Sequence, residues 1–498
     1  MDDALLARRL SRRDLCGAGM AGTAVALTGC APSAPAPHSR PSLTLDGRVV
    51  TDADADYESW RTGVVWQDRK PDRRPAMIVR PRTAQAVADA LRYARENALK
   101  VAVKSSGHHV WANFLRDGGM LIDMWDFRRV ALDDDGVTAW VEPSAWGADV
   151  ARVLGARGRA FPVAHCGSVG MGGFLLGGGV GQNWRSWGGL SAYSMLGAEV
   201  VTADGKVRIV DDANDPDLAW ALRGGGNGFP AVVTRYRLKT YPAPRVLKMS
   251  SYVFPLSAAG DAARWVQELA AAGAIPKCEP LIILAHSPMA PPDAPPGRSK
   301  VCIVIFNVFA DSETEAAAIL NRVAAHPRAA SALARNERKE WRLENSLYDT
   351  LDPRGPFNLG RMGVDTIWTA RIAEALTPLT DAFVKAPTPG CHVVISHLDR
   401  PMAPANAAAR VPGDFFIGIY SVALDAEADA RAIPWLREAS KSIQPFAAGH
   451  YMNETDAESG PGKIRGCFGQ EGWRKLAAVR KHYDPDGVFH DFFAMTRG

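Results

Sequence analysis

The sequence predicts an α+β fold in two parts, the first with alternating strands and helices and the second with an antiparallel sheet backed by helices. Two patterns support this prediction. Residues 57–244 alternate short apolar runs with amphipathic stretches. Residues 245–449 contain runs rich in β-branched and aromatic residues, with helical stretches between them. With 498 residues, 47% of them hydrophobic and 22% charged, the chain is long enough for two substantial cores.

The first 29 residues carry the features of an export signal. Residues 11–15 read Ser-Arg-Arg-Asp-Leu, a twin-arginine pattern, and a weakly apolar run over residues 17–29 follows. The run leads into Leu-Thr-Gly-Cys, which resembles a lipobox ending in Cys30. We therefore expect export by the twin-arginine route to the periplasm or cell surface, with a lipid anchor at Cys30 and a tether over residues 30–56. The alternative is a cleaved or disordered N-terminus without an anchor.

Several strands and one helix are predicted in the first part of the chain. Thr83 is a plausible N-cap for a helix with Val87, Leu91 and Ala94 on one face. A short strand precedes this helix at residues 77–79. Further strands are predicted at residues 101–103, 119–124, 137–141 and 198–205, the last of which ends in a turn.

A loop of small and polar residues follows the strand predicted at residues 101–103. Residues 104–109 read Lys-Ser-Ser-Gly-His-His. Small residues, one cation and a histidine at the end of a strand suit a ligand that carries phosphate. The loop is therefore a candidate binding element.

Residues 163–181 are unusually dense in glycine. The glycines of this stretch are Gly167, Gly170, Gly172, Gly173, Gly177, Gly178, Gly179 and Gly181. Glycine allows the backbone to adopt positive φ and to approach a bulky ligand, and bare N–H groups can bind a phosphate. The spacing does not fit a dinucleotide motif, because Leu175 stands where a Gly-x-Gly-x-x-Gly starting at Gly170 needs glycine. Alone, the stretch would favour a tight structural turn; with the loop at residues 104–109 it predicts a cofactor site.

Together the two loops resemble those of the berberine bridge enzyme-type flavin oxidases, which belong to the vanillyl-alcohol oxidase / p-cresol methylhydroxylase (PCMH) superfamily. This family shows Arg/Lys-Ser-Gly/Ser-Gly-His in the first loop and Cys-x-x-Val-Gly-x-Gly-Gly…Gly-Gly-Gly-x-Gly in the second, and residues 104–108 and 166–181 match both. The resemblance implies a PCMH-type FAD-binding domain at residues 57–244 and a substrate-binding domain at 245–449. It also implies a C-terminal segment, residues 450–498, that returns to the FAD domain.

The resemblance also implies bicovalent FAD. His108 would bond to the 8α-methyl group and Cys166 to C6 of the same ring, through a neutral imidazole and a thiolate. Val169 would lie near flavin C4a, where a small side chain admits O2, which favours an oxidase over a dehydrogenase. The other implied cofactor-binding residues are Lys104, Ser105, Ser106, Gly107, His109, Gly170, Gly172, Gly173, Gly177, Val201 and Asn453, although His109 is not the histidine matched to attachment.

The second part of the chain contains five runs that read as strands. They cover residues 251–254, 281–286, 301–309, 391–397 and 415–423, and a Pro-rich loop is predicted at residues 288–297. Cys278, Cys302, Cys391 and Cys467 remain after the signal, lipid and flavin cysteines are set aside. Disulfides and buried free thiols both stay open for these four residues.

The C-terminal tail carries a candidate for the catalytic base. Residues 451–456 resemble the family's Tyr-x-Asn segment, and many relatives have a tyrosine at the position of Glu454. A carboxylate can act as base if burial raises its pKa toward neutrality; the alternative is a surface carboxylate in an acidic turn. Tyr420 is the next candidate. His392 and His397 have opposite parity on one strand, so at most one can face the flavin, and a structural role is predicted for each.

The implied activity is that of an exported oxidase that transfers a hydride from an alcohol, sugar or amine to FAD and then to O2. A dehydrogenase with a quinone or haem acceptor and a non-catalytic flavin-loaded binding protein are the alternatives. The chain has a net charge of +4 without a basic block, which argues against nucleic acid as a partner. A small-molecule substrate and O2 are the expected partners, membrane contact is expected only through Cys30, and no metal site is predicted.

Overall fold

The computed structural model describes residues 43–287, 290–291, 294–295, 299–343, 360–399 and 403–491. The predicted signal peptide, the lipobox at Cys30 and the first part of the tether lie outside these residues, as does much of the Pro-rich loop. No helix in the part of the chain that is described is long and apolar enough to cross a membrane.

The strands are β1 (Gly47–Thr51), β2 (Met77–Pro81), β3 (Val101–Lys104), β4 (Met120–Asp123), β5 (Val130–Leu132), β6 (Thr138–Val141), β7 (Arg159–Ala160), β8 (Met195–Thr202), β9 (Val207–Asp211), β10 (Ala231–Lys239), β11 (Tyr241–Pro242), β12 (Val246–Pro255), β13 (Cys278–His286), β14 (Lys300–Ala310), β15 (Ala334–Glu340), β16 (Arg361–Thr369), β17 (His392–His397) and β18 (Phe415–Ala423). The α-helices are Tyr57–Gly63, Ala84–Glu96, Gly147–Gly155, Met171–Leu176, Pro216–Leu222, Ala259–Ala271, Glu313–Ala325, Pro327–Ala330, Ile372–Val384, Ala426–Ile443 and Pro461–Tyr483.

The first part of the described chain contains a sheet of order β1-β2-β4-β3 and an antiparallel sheet of order β5-β6-β10-β8-β9. Helix Ala84–Glu96 packs against both sheets, and its buried face shares a core with Val201 and Val232. The predicted cap is confirmed, because Thr83 Oγ1 accepts a hydrogen bond from the N–H of Ala86 at 3.1 Å. The sequence interpretation of this part therefore holds for its central helix.

One predicted boundary is wrong. The sequence predicts a tether up to residue 56, but β1 pairs antiparallel with β2 over all five of its residues. Val50 of this strand is 1% exposed and packs in a core with Ile78. The folded structure therefore begins before residue 57, because β1 forms an edge of the first sheet.

The second part is built on an antiparallel sheet that, among the described strands, has the order β15-β12-β14-β13-β17-β18-β16. Helices Ala259–Ala271, Glu313–Ala325, Ile372–Val384 and Ala426–Ile443 cover one face of this sheet and form the largest core. This confirms the predicted antiparallel sheet backed by helices. The opposite face carries its own apolar side chains and lines a cavity.

The C-terminal tail contacts the first part of the chain. Helix Pro461–Tyr483 contributes Phe468 and Leu476 to a core shared with Trp220. Beyond the helix, the N–H of Val101 donates to the carbonyl of Val488 at 2.8 Å, which links the tail to β3. The four remaining cysteines, Cys278, Cys302, Cys391 and Cys467, are buried free thiols in the described structure.

Candidate active site

A cavity of about 810 Å³ lies between the two glycine-bearing loops and the uncovered face of the large sheet. Residues 104–109 and the stretch beginning at Ala164 form one wall, while β13, β14, β17 and β18 form the other. The tail contributes Tyr451, Asn453 and Glu454. The fold therefore brings both sequence-predicted loops and the tail to one site.

His108 is held against an aromatic ring at the cavity wall. Its imidazole stacks on Trp66 with ring centroids 4.1 Å apart and an interplanar angle of 13°. Its Nε2 lies 3.1 Å from Ser168 Oγ. Burial lowers the pKa of His108 to about 4, so the imidazole is neutral at neutral pH and has a lone pair for bond formation.

Cys166 lies beside His108, although 58 positions separate them in the sequence. The Cys166 Sγ atom is 3.7 Å from His108 Nε2 and 3.1 Å from Ser168 Oγ. The two residues predicted to attach the flavin are thus neighbours at the same end of the cavity, with Ser168 between them.

Glycine is required where the two loops meet. A Cβ atom at Gly170 would lie 2.6 Å from Ser106 Cβ, and one at Gly172 would lie 2.7 Å from Ser105 Oγ. The N–H of Gly170 donates to Ser106 Oγ at 3.0 Å. Gly173 differs, because it lines the cavity and a Cβ there would meet no atom within 4 Å. A side chain at position 173 would therefore project into space that the present sequence keeps open for a ligand.

Two predicted cofactor contacts do not line the cavity. Gly177 lies against the tail, where a Cβ would be 1.9 Å from Asn453 Oδ1. The Val201 side chain is fully buried in the core beside helix Ala84–Glu96. The side-chain positions of these two residues are thus occupied by packing, and contact of their backbone with the cofactor stays a prediction.

Lys104 lines the cavity, but its charge is compensated inside the protein. The residue is 3% exposed, and its Nζ atom donates to Asp123 Oδ1 at 2.8 Å. Asp123 also accepts two hydrogen bonds from Arg80. The lysine thus ties the first loop to β4.

The remaining predicted contacts, Ser105, Ser106, Gly107, His109, Val169 and Asn453, all line the cavity. Gly107 has a φ of +80°, and a Cβ there would lie 2.1 Å from the Val64 carbonyl oxygen. Burial, together with Arg73 and Arg116, lowers the pKa of His109 to about 4. Asn453 Nδ2 donates to the Phe174 carbonyl at 3.1 Å, which joins the tail to the glycine-rich stretch.

The two acid–base candidates are hydrogen-bonded to each other. Tyr420 Oη, from β18, donates to Glu454 Oε2 at 2.9 Å. Burial raises the pKa of Glu454 to about 6, although the hydrogen bond from Tyr420 and the charge of His165 counteract part of this shift. Glu454 lines the cavity and is not part of an exposed acidic turn.

The two histidines of β17 point to opposite faces of the sheet, as the alternation of side chains along a strand predicts. His392 lines the cavity and stacks on Tyr420, with ring centroids 4.8 Å apart and an interplanar angle of 8°. His397 instead accepts a hydrogen bond from Arg185 at 2.7 Å and packs on Phe415. Only one of the two therefore belongs to the site.

The sequence analysis does not identify a histidine–carboxylate pair that lies at the edge of the cavity. His165, next to Cys166, binds through Nε2 to Oε1 of Glu279 on β13. Glu279 is 1% exposed, and its other oxygen accepts the N–H of Asn183 at 2.8 Å. Burial opposes a charge on His165, but the Glu279 carboxylate outweighs it and the pKa of His165 is raised. The partners are 114 positions apart, so no local pattern could have indicated the pair.

Residues 75–211 match the FAD binding domain family. The FAD-linked oxidoreductase nodO of Hypoxylon pulicicidum is 27% identical over 439 residues, which cover 86% of this chain and 93% of that protein. The FAD-linked oxidoreductase janO of Penicillium janthinellum is 36% identical over 215 residues. That second alignment covers 43% of this chain and 47% of janO, so the chain spans about half the length of that relative.

Solved structures show the same fold along most of the chain. 6-Hydroxy-D-nicotine oxidase from Arthrobacter nicotinovorans superimposes with a TM-score of 0.75 at 20% identity, covering 92% of this chain and 99% of that one. A variant of berberine bridge enzyme gives a TM-score of 0.75 at 16% identity, covering 90% and 96%. The shared architecture extends over both the loop wall and the sheet wall of the cavity.

The residues at the cavity fit an FAD group on their own chemistry. A neutral imidazole and a thiol stand at one end, and the open space at Gly173 leaves room for a bulky ring beside the backbone. The chain contains an FAD binding domain at residues 75–211 and is an FAD-dependent oxidoreductase, and its fold is the one shared by 6-hydroxy-D-nicotine oxidase and berberine bridge enzyme.

Proposed function

We propose that this protein is an exported oxidase that takes a hydride from an alcohol, sugar or amine onto covalently bound FAD and passes the electrons to O2, giving H2O2. One observation carries the proposal. Tyr420 and Glu454, hydrogen-bonded to each other, line the same cavity as His108 and Cys166. Oxidation of the carbon that carries a hydroxyl or amine needs a hydride acceptor and a proton acceptor. His108 and Cys166 are suited to hold FAD as the hydride acceptor, and Glu454 is suited to accept the proton.

His108 and Cys166 are the proposed attachment residues. The buried imidazole of His108 is neutral, because its pKa is about 4, and it can therefore act as a nucleophile. The 3.7 Å between Cys166 Sγ and His108 Nε2 brings both nucleophiles to one end of the cavity. When bound, FAD supplies the hydride acceptor for the reaction.

Glu454 is the proposed base. With a pKa of about 6 it is largely ionised at neutral pH, and it can accept the proton of the substrate hydroxyl or amine. Tyr420 donates a hydrogen bond to this carboxylate and so orients it; the tyrosine is also the second candidate for the base. Glu454 would take the proton of the substrate hydroxyl or amine, and bound FAD would supply the two-electron acceptor, so that the product would be a carbonyl compound or an imine.

Val169 supports O2 as the electron acceptor, because its side chain is small and lines the cavity. A dehydrogenase that passes electrons to a quinone or haem protein is the second candidate, and the proposed lipid anchor near a membrane favours it. The replacement of the usual tyrosine by Glu454 favours a third candidate, a flavin-loaded binding protein without turnover.

Anaerobic mixing of the purified holoenzyme with alcohols, sugars and amines distinguishes these candidates. Bleaching of the flavin followed by rapid reoxidation on admission of air, with H2O2 formed, is the expected result. Bleaching that persists in air but reverses with a quinone would replace the oxidase by the dehydrogenase. A flavin that no member of the panel bleaches would favour the binding protein.

A further inference from the structure

We infer that the substrate is an apolar molecule with one oxidisable hydroxyl or amine, bound along the sheet wall of the cavity, and not a sugar. The identity of the oxidised group rests on the proposed function. The preference for an apolar body rests on the side chains of the sheet wall alone.

One row across the sheet wall is entirely without polar side chains. Strand register pairs Ile303 of β14 with Ile283 of β13, Ile283 with Val394 of β17, and Val394 with Gly418 of β18. The first three of these residues line the cavity. A ligand lying along this row contacts aliphatic side chains on three adjacent strands, β14, β13 and β17.

The row beside it carries only one hydroxyl. Ile305 pairs with Leu281, Leu281 with Ser396, and Ser396 with Phe416, and all four line the cavity. Ser396 is itself 3% exposed. The second row therefore extends the apolar surface.

Two polar side chains of the sheet wall, His392 and Tyr420, lie together at one corner, while Ser396 lies in the second row and His286 lies at the end of β13. His392 pairs with Tyr420 in the next row, and Tyr420 donates a hydrogen bond to Glu454. A substrate whose reacting group lies at this corner has the rest of its body against Val394 and Ile283. The sheet wall thus combines a few polar side chains with an extended apolar surface, which is the usual design for binding a largely apolar ligand.

The apolar side chains of this wall are incompletely covered by protein. Ile303, Val394 and Val422 are only partly buried although they lie inside the cavity. On the opposite face of the same strands, Ile282 and Val393 are at most 1% exposed beneath the helices. Apolar surface left open in an enclosed site favours an occupant that removes it from water.

The sheet wall offers too few hydrogen-bond partners to bind a sugar. Its hydroxyl groups would lose water against Ile303, Ile283 and Val394 without gaining hydrogen-bond partners, and each unpaired buried hydroxyl weakens binding. A site selective for sugars needs donors and acceptors spread along its length. Here the sheet wall has only His286 and Ser396 outside the corner formed by Tyr420, His392 and Glu454, and its other lining side chains are apolar.

Equilibrium binding tests the inference without any turnover. Calorimetric titration of the holoenzyme with camphor, an apolar ketone, and with cellobiose compares the two ligand classes. We expect camphor to bind and cellobiose to show no binding. In parallel, anaerobic mixing with geraniol and with cellobiose compares flavin bleaching, and geraniol is the expected reductant.

Two variants connect the binding to the sheet wall. Ile303→Ser should weaken camphor binding roughly tenfold or more, because it removes apolar contact and adds a hydroxyl. Ile209→Ser makes the same change at a residue that is 47% exposed on β9, outside the cavity, and should leave binding unchanged. Val394→Thr keeps the side-chain shape and should weaken binding less than Ile303→Ser, provided that each variant retains the flavin spectrum of the parent.

The outcomes separate the two proposals. Binding or oxidation of cellobiose without binding of camphor would overturn the apolar substrate class while leaving the oxidoreductase intact. Camphor binding that Ile303→Ser and Val394→Thr leave unchanged would also overturn it. Camphor binding that depends on the sheet wall, with no flavin bleaching by any alcohol or amine, would support the apolar site and contradict the proposed oxidase.

Discussion

Tyr420 Oη donates a 2.9 Å hydrogen bond to Glu454 Oε2, and this bond joins the large sheet to the C-terminal tail at the cavity wall. His392 stacks on the tyrosine ring and limits its movement. Gly418 provides the space in which the ring lies, because a Cβ there would be 2.8 Å from Tyr420 Cε2. The orientation of the candidate base is therefore set by three elements that are distant in sequence.

Replacement of Glu454 by glutamine should slow reduction of the flavin by about 10²–10⁴-fold, because the amide cannot accept the substrate proton. The flavin spectrum should be retained, since size and hydrogen bonding are preserved. Anaerobic stopped-flow reduction with a working substrate measures the rate. Glu458→Gln is the matched control: this residue is in the same tail, and its side chain is 66% exposed. A Glu454→Gln variant reduced at the parent rate would exclude Glu454 as base and favour Tyr420.

The pH dependence of kcat/KM should follow the ionisation of Glu454. Burial raises the pKa of this carboxyl to about 6, so the base is ionised and active above that pH and protonated below it. We expect kcat/KM to be level above about pH 7 and to fall roughly tenfold per pH unit well below 6. In Glu454→Gln, this decrease in kcat/KM at low pH should disappear. An acid limb that persists unchanged in the variant would assign it to another group.

Gly418→Ala should disturb the Tyr420–Glu454 hydrogen bond, because the new methyl group would lie 2.8 Å from Tyr420 Cε2 and 2.9 Å from its Oη. Loss of a hydrogen bond to a charged group predicts a decrease in the reduction rate of about tenfold or more. Gly260→Ala, where a Cβ meets no atom within 4 Å, is the control. When Gly418→Ala is added to Tyr420→Phe, the rate of flavin reduction should decrease little further, because the hydrogen bond is already absent. A further decrease as large as that in the single Gly418→Ala variant would show that Gly418 acts independently of the bond.

Flavin attachment is tested by acid precipitation of the purified protein, followed by measurement of flavin in the pellet and the supernatant. The parent, His108→Ala and Cys166→Ala should all keep flavin in the pellet, the two variants through one bond each. The double variant should release it. His109→Ala, at the neighbouring residue that lines the cavity, should keep both bonds. Complete release of flavin from the parent protein would contradict covalent attachment.

Export and anchoring are tested by cell fractionation. Replacement of both Arg12 and Arg13 by lysine should retain the protein in the cytoplasm, because the twin-arginine pattern is lost. Cys30→Ala should move the exported protein from the membrane fraction to the soluble exported fraction. A double-lysine variant that still reaches the membrane-associated exported fraction would contradict the twin-arginine route.

The sequence was sufficient for features that depend on local chemistry. Residues 104–109 and 163–181 could be recognised because glycine density and nucleophile type are visible residue by residue. The strand predicted at residues 415–423 matches β18 because its run is rich in aromatic and β-branched residues and contains no charged residue. By contrast, β16 was not predicted, since Gly363 and the buried Asp365 interrupt its apolar pattern. The charge of Asp365 is compensated by Lys463, 98 positions away.

Only the tertiary structure decided which side chains meet at the cavity. Tyr420 and Glu454 are 34 positions apart, and His165 and Glu279 are 114 apart, so neither pair leaves a periodic signal in the chain. The aliphatic row across the sheet wall depends on strand register, which is set by packing on both faces of the sheet. Sequence therefore determined the two glycine-bearing loops and several of the strands, whose patterns are local, whereas the burial of Glu454 and the chemistry of the sheet wall arise from contacts between distant segments.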